Sequence, residues 1–206
     1  MASRPRDSRS RVGKTHLKRI VDPRIARSQE RILRAALEEL GEVGYGAFTI
    51  ESVAARAGVG KSTIYRHWTD KLTLIAAAFQ TLHEELQPDL KTGSPRDRLE
   101  RILRHVAEVV VDSTFSKCIP ALIDAAERDR NLRRFHHRFQ QEARQPLVEL
   151  IAEGVAAGDF PAHVDPELGA FALLGAIFFC RLMTSAPLDP NRASNLIDAV
   201  FGSVDG

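Results

Sequence analysis

Residues 48–72 read FTIESVAARAGVGKSTIYRHWTDKL and contain two short helical patterns separated by a glycine-rich turn. Thr49 can cap the first helix, because its side-chain oxygen can accept a hydrogen bond from a backbone N–H group of the first turn. The Gly-Val-Gly turn at 58–60 ends that helix, and a second helix follows over residues 61–68. Two short helices joined by a tight turn predict a helix-turn-helix, a motif whose second helix can lie in the major groove of DNA.

The second helix of this motif has a short, polar and basic outward face. If Ile64 points into the protein, helical geometry makes Ser62 and Arg66 point away from it. Arg66 can form two hydrogen bonds to a guanine, whereas Ser62 and Thr63 are small enough to let the helix enter the groove. Lys61 can reach a base edge or a phosphate. Further donors suited to phosphates are Tyr65, His67 and Lys71.

Helical patterns continue on both sides of the motif. Ser28 can cap a preceding helix whose apolar residues recur every three or four positions until Gly44 interrupts it. Asp70 can cap the following helix, which Pro88 ends. Further helical patterns cover residues 95–113, 118–129, 131–157, 165–185 and 190–203. No segment has the strict alternation of a β-strand, so we predict an all-α fold of about nine helices.

Positive charge is concentrated at the N-terminal end of the chain. The net charge of the 206 residues is only +2. Residues 1–71 contain 15 Lys+Arg and 8 Asp+Glu, a charge of +7, whereas the remaining residues contain 14 and 19, a charge of −5. We predict a disordered basic arm (1–27), a helix-turn-helix head (28–71) and a larger helical bundle (72–206). The arm and head are suited to a polyanion, although a solubilising role for the arm stays open.

Residues 28–79 resemble the DNA-binding head of the tetracycline-repressor (TetR) family of transcriptional regulators. The segments FTIESVAARAGV (48–59), KSTIYRHW (61–68) and DKL (70–72) follow the family signature in order and spacing. The resemblance implies that Ile64 and Trp68 pack the head, with Trp68 standing where a Phe is more usual. It also implies DNA contacts at Thr49, Lys61, Ser62, Thr63, Tyr65, Arg66, His67 and Lys71.

The C-terminal part of the chain resembles a module found on many such regulators, through IPAL (119–122), ERD (127–129) and DPEL (165–168). The resemblance extends over about residues 28–203. It implies a homodimer that binds double-stranded operator DNA and responds to a small-molecule effector held in the helical bundle, most relatives being repressors. The helix from Lys71 to Gln87 would be the lever between effector and DNA.

Two sets of residues in the bundle are candidates for these roles. Apolar helix faces that could surround an effector carry His105, Phe115, Cys118, Phe135, Phe139, Phe171, Phe178 and Met183. Each of them is also typical of an ordinary packed core. The last two helices carry wide apolar stripes, which one chain can bury itself. The resemblance favours the alternative that they form a dimer interface with Ala170, Leu174, Ile177, Leu196 and Val200.

Other classes of protein have less support in the sequence. An enzyme is not expected, since the chain has no phosphate-binding glycine loop, no nucleophile elbow and no metalloprotease motif. We expect no cofactor. We also expect no metal site, because adjacent helical residues such as His136 and His137 point about 100° apart. Cys118 and Cys180 suit reduced, buried thiols. No signal peptide or long apolar run is present, so we expect a cytoplasmic protein without a membrane partner. A nonspecific DNA-compacting protein is the remaining alternative.

Overall fold

The computed structural model describes residues 23–85, 91–111 and 113–202. These residues form nine α-helices and one short 3₁₀ turn, with no strand among them, which confirms the all-α prediction. The helices are α1 (Pro23–Ala47), α2 (Ile50–Ala57), α3 (Lys61–Tyr65), α4 (Lys71–Glu85), α5 (Pro95–Val111), α6 (Thr114–Arg128), α7 (Arg130–Ala157), α8 (Pro166–Met183) and α9 (Ala193–Phe201), with the 3₁₀ turn at Pro190–Arg192.

The first helix begins earlier than the sequence analysis placed it. It starts at Pro23 rather than after Ser28, so residues 23–27 of the expected disordered arm are helical. Proline suits the first turn of a helix because its fixed φ is already helical and its missing N–H would have no partner there. Residues 1–22 of the arm lie outside the described residues. The expected break at Gly44 is a kink with φ 72° and ψ 170°, after which α1 continues to Ala47.

Local capping signals set the ends of α2 and α4. The Thr49 hydroxyl accepts a hydrogen bond from the Ser52 N–H group at 3.1 Å, and Gly58 ends α2 in the left-handed conformation. Asp70 accepts a hydrogen bond from the Thr73 N–H group at 2.8 Å where α4 begins. Both starts were predicted from the residue types. The second helix of the motif ends at Tyr65, three residues before the predicted end at Trp68.

The start of α6 was predicted wrongly. The sequence analysis placed a break at Ser116 and began the helix at residue 118, but α6 begins at Thr114. Ser113 is the capping residue, since its hydroxyl accepts a hydrogen bond from the Ser116 N–H group at 3.1 Å. Ser116 lies inside the first turn, is buried, and donates to the Val110 carbonyl at 2.6 Å. A serine hydroxyl can accept a hydrogen bond at the start of a helix, or it can donate one to a nearby backbone carbonyl. The position of a serine in the sequence does not distinguish these two roles.

The described helices bury two apolar clusters. The first joins α1–α4 to parts of α6 and α7, and its fully buried members include Ile32, Phe48 and Phe79. The second lies between α5, α7, α8 and α9. The core of the head therefore continues into the bundle without a polar boundary. At this junction the Cys118 thiol of α6 donates to the Leu37 carbonyl of α1 at 3.1 Å.

Candidate functional site

The helix α3 separates buried apolar side chains from exposed polar ones. Ile64 is fully buried and Trp68, just after the helix, is 9% exposed, which confirms that both pack the head. The outward side is formed by Lys61, Ser62, Tyr65, Arg66 and His67, all exposed, with Thr63 partly buried beside them. Short polar residues followed by an arginine therefore project from a packed three-helix head, as the sequence analysis expected.

Two contacts hold the ends of the helix-turn-helix against the start of α1. The side-chain amide nitrogen of Gln29 lies 3.2 Å from Nδ1 of His67. The Arg31 guanidinium donates to the Ala57 carbonyl at the end of α2. Because α2 and α3 are both connected to α1 at these points, the N-terminal half of α1 lies beside the turn and beside the end of α3.

Arg56 connects α2 to α1 through three glutamates. Its guanidinium is 3.0 Å from Glu39, 2.5 Å from Glu42 and 3.8 Å from Glu38. The hydrogen bond from Arg56 lowers the pKa of Glu42, and the same bond raises the pKa of Arg56. Sequence analysis missed this cluster, although glutamates one turn apart on one helix and an arginine on the next are a signal for it. The Glu39 side chain is only 8% exposed, so the ion pair sets how α2 lies on α1.

Three of the predicted DNA-contacting residues, Thr49, Lys61 and Lys71, already have partners within the chain. The Thr49 hydroxyl is engaged at the start of α2, 2.9 Å from the Ser52 hydroxyl. The Lys61 ammonium lies 2.9 Å from Glu51, with both side chains about half exposed. The structure directs the Lys71 ammonium to Tyr45, where it donates to the carbonyl at 3.2 Å and lies 4.0 Å from the ring centre. At least one of the three N–H donors of Lys71 is therefore used within the head.

The predicted effector residues do not converge on one place. Phe115, Phe135 and Phe139 surround the buried Phe79 of α4, with ring centres 5.5–6.1 Å from that of Phe79. Sequence analysis placed Phe79 on the buried side of its helix but did not connect it with this cluster. The edge-to-face contacts of these rings join α4 to α6 and α7.

The other predicted effector residues lie elsewhere. Phe171 and Met183 are 52% and 72% exposed, so within this chain they do not line an interior cavity. Cys118 is buried against α1, and burial raises the pKa of its thiol to about 12. His105 and Phe178 are partly buried. A recess of about 310 Å³ between α1, α4 and α6 contains none of the predicted residues and is lined by Glu30, Leu33, Arg34, Leu37, Ala78, Thr81 and Thr114.

The exposed face of α8 differs from the predicted dimer interface. Ala170 and Ile177 are buried in the core of their own chain, and Leu174, Leu196 and Val200 are partly buried there. Helical spacing identifies this apolar stripe in the sequence, but it does not show whether the chain's own core covers the stripe. The opposite side of α8 carries the exposed residues Leu168, Phe171, Ala172, Gly175, Phe179 and Met183.

Two further observations concern α8 and the histidines. By length and composition, α8 is the one described helix that is long and apolar enough to cross a membrane, a pattern it shares with helices that pack against protein. In the described part of the chain, no three His, Cys, Asp or Glu side chains come together as a metal site. Burial lowers the pKa of His136, and the neighbouring His137 lowers it further.

Known proteins match both parts of the chain. Residues 32–78 match the family described as "Bacterial regulatory proteins, tetR family", and residues 88–200 match "Tetracyclin repressor-like, C-terminal domain". The DNA-binding transcriptional repressor TetR of Mycobacteroides abscessus is 30% identical, covering 86% of this chain and 95% of its own. The uncharacterized HTH-type transcriptional regulator YdeS of Bacillus subtilis is 29% identical, covering 88% and 92%.

The fold is also that of a solved regulator bound to DNA. The structure of AibR in complex with isovaleryl coenzyme A and operator DNA has a TM-score of 0.64 at 20% identity and covers 85% of this chain and 99% of its own. Both family models, the relatives and the exposed face of α3 agree. The chain belongs to the TetR family of DNA-binding transcriptional regulators.

Proposed function

We propose that the protein is a homodimeric repressor that binds a palindromic operator and leaves it when a small-molecule effector binds the helical bundle. The observation that carries this proposal is the exposed polar face of α3 above the buried Ile64 and Trp68. A helix of this kind can enter the major groove, which is wide enough to admit it. Chromosomal DNA as partner implies a cytoplasmic location.

Recognition of the operator would depend on Arg66 together with the small residues before it. A guanidinium reads a guanine through two parallel hydrogen bonds, and such a pair contributes about 1–3 kcal/mol of discrimination between bases. Ser62 and Thr63 keep the approach to the base edges open. Thr49 and Lys61 would contact phosphates, and Lys61 would exchange Glu51 for a phosphate.

Two heads on one palindrome require a second copy of the chain. Successive major grooves on one face of DNA are about 34–36 Å apart, and a symmetric dimer can place one recognition helix in each. The exposed apolar face of α8 supports this proposal, because exposed apolar residues grouped on one helix face are typical of a surface that another protein covers. Small residues at 172 and 175 would let two helices approach closely.

The dimer would have two conformations that differ in the spacing of its heads. An effector would act by binding the conformation that does not fit DNA more tightly than the conformation that does. A difference of about 1–3 kcal/mol would weaken operator binding about 5- to 150-fold. The contacts of Phe79 with α6 and α7 connect the bundle to α4, and α4 follows the recognition helix directly. The fold shared with AibR, which was solved with a coenzyme A ester and operator DNA, supports a bundle that senses a ligand.

Selection of binding sites from random 40-base-pair duplexes tests the DNA part of this proposal. We expect the full-length protein to enrich a palindrome and to bind it at least about a thousand times more tightly than unrelated DNA. Arg66→Ala should relax the preference at one base position in each half-site. Arg138→Ala is a matched control, because Arg138 is an exposed arginine of α7 beside Glu142. Equal affinity for all duplexes would instead identify a nonspecific DNA-compacting protein.

A further inference from the structure

Four arginines form one stripe along the N-terminal half of α1. Arg24, Arg27, Arg31 and Arg34 are all exposed and recur every three or four residues. At 3.6 residues per turn they fall within about 80° of the helix surface. We call this set the α1 arginine stripe. Its members lie before the two helices of the motif, in the basic arm and head that the charge distribution suits to a polyanion, and none is among the DNA-contacting residues named from the sequence.

One member of the stripe reaches the turn that leads into the recognition helix. Arg31 donates to the Ala57 carbonyl, and its guanidinium is 3.3 Å from where a Cβ atom on Gly58 would stand. This places the stripe against the turn that leads into α3. Gln29, on the opposite side of α1 from the stripe, contacts His67 just after α3. The contact of Arg31 is therefore the one that brings the stripe to the helix-turn-helix.

A recess beside the stripe shows which of its arginines have acidic partners. Its volume is about 380 Å³, and its lining includes Arg27, Arg31, Arg34 and Arg56 together with Glu30 and Glu38. Arg34 lies 3.3 Å from Glu30, and Arg56 is matched by Glu38, Glu39 and Glu42 at 2.5–3.8 Å. Among the described residues, Arg27 and Arg31 have no acidic partner within 4 Å, so their charges are the ones a phosphate could neutralise.

We propose that the α1 arginine stripe binds the backbone phosphates of the DNA that flanks the groove entered by α3. Guanidinium groups match phosphates because they offer planar, paired donors and keep their charge at every physiological pH. Each such contact releases counterions from DNA and adds affinity without reading the sequence. This inference rests on the proposed function and extends the DNA-contacting surface beyond the helix-turn-helix.

Salt-dependent binding of full-length variants tests the stripe. Arg27→Gln and Arg34→Gln each remove one charge, and Arg128→Gln is the control because Arg128, like Arg34, is an exposed arginine one helical turn from an acidic partner. The readout is the affinity for the selected palindrome and for an unrelated 40-base-pair duplex between 50 and 400 mM salt. These salt limits are experimental settings of about the range in which counterion release is measurable.

We expect each stripe variant to lower the slope of log K against log salt by about 0.9 per lost contact, or about 1.8 for a dimer. Affinity should fall by a similar factor on both duplexes, and Arg128→Gln should leave both slopes unchanged. Removing the flanking base pairs should weaken binding by the wild type more than binding by Arg27→Gln, which keeps the other three arginines of the stripe. Slopes for both stripe variants that equal that of Arg128→Gln would overturn the inference.

The two proposals fail in different ways. If the wild type enriches no palindrome, the proposal of an operator-binding repressor is contradicted. The salt dependence of binding to the unrelated duplex would still report whether the stripe contacts phosphates. A wild type that binds no duplex at all would overturn both. Variants with weaker binding to the palindrome alone would show that the stripe acts through α3 and does not bind flanking phosphates.

Discussion

Replacing Gly175 with leucine tests whether a second copy of the chain covers the exposed face of α8. Gly175 is exposed in the middle of that helix, and a Cβ atom built on it would meet nothing within 4 Å. Within one chain the leucine is therefore free of clashes. Glycine is about 1 kcal/mol less favourable than leucine in a helix interior, so the fold itself should gain about 0.5–1 kcal/mol of stability. For a chain of this length that gain corresponds to a midpoint roughly 1–4 °C higher.

The same leucine should weaken a dimer formed by this face. Extra methylene groups in a closely packed contact cost about 1–3 kcal/mol, and a symmetric interface contains the substitution twice. A total of about 2–6 kcal/mol would raise the dimer dissociation constant by a factor of about 30 to about 20,000. Binding to the full palindrome should weaken in parallel, whereas nonspecific binding of single heads should change little.

Sedimentation of wild type and Gly175→Leu over nanomolar to micromolar concentrations measures this change. Ala152→Leu is the control, because Ala152 is a small exposed residue of the neighbouring helix α7. It should leave the dissociation constant unchanged. If Gly175→Leu raises the unfolding midpoint and the dimer dissociates as in the wild type, the face of α8 around Gly175 is not the dimer contact.

Two other substitutions follow from local packing and capping. Gly154→Ala would place a Cβ atom 2.4 Å from the buried ring of Phe160, so the overpacking cost of about 1–3 kcal/mol should exceed the helix gain of about 1 kcal/mol and lower the urea midpoint. Asp70→Ala removes the acceptor of the Thr73 N–H group and should cost about 1 kcal/mol at neutral pH. That bond lowers the pKa of Asp70 below its ordinary value of 3.8, so the carboxylate stabilises the fold above that pH, and the difference between wild type and variant should shrink as the pH falls below it. A difference that is constant from pH 7 to about pH 2 would contradict the role of the carboxylate.

Short-range signals predicted the head well. Thr49 and Gly58 bound α2 because capping needs a side-chain oxygen at one end and a residue tolerant of positive φ at the other. The spacing of Ile64 and Trp68 also predicted which side of α3 is buried. Each of these features depends on neighbours within a few residues along the chain, and such neighbours can be identified in a sequence.

Features that join distant parts of the chain were not predicted. Arg56 meets Glu39 across 17 positions, and Phe79 meets Phe135 across 56 positions. Lys71 lies on Tyr45, although its position on the chain also suits an outward phosphate donor. Each of these side chains has several rotamers, and the helix packed against it selects among them.

The sequence by itself determined the helical class, the helix-turn-helix and the polar residues on the outward side of α3. Periodicity and capping are local properties, so they can be identified in the sequence without knowledge of the packing. Only the tertiary structure decided which apolar stripe of α8 is covered by its own chain. Ala170 is buried and Phe171 is exposed although both are apolar and adjacent, because α8 packs on α5, α7 and α9 through one side and leaves the other to whatever binds there.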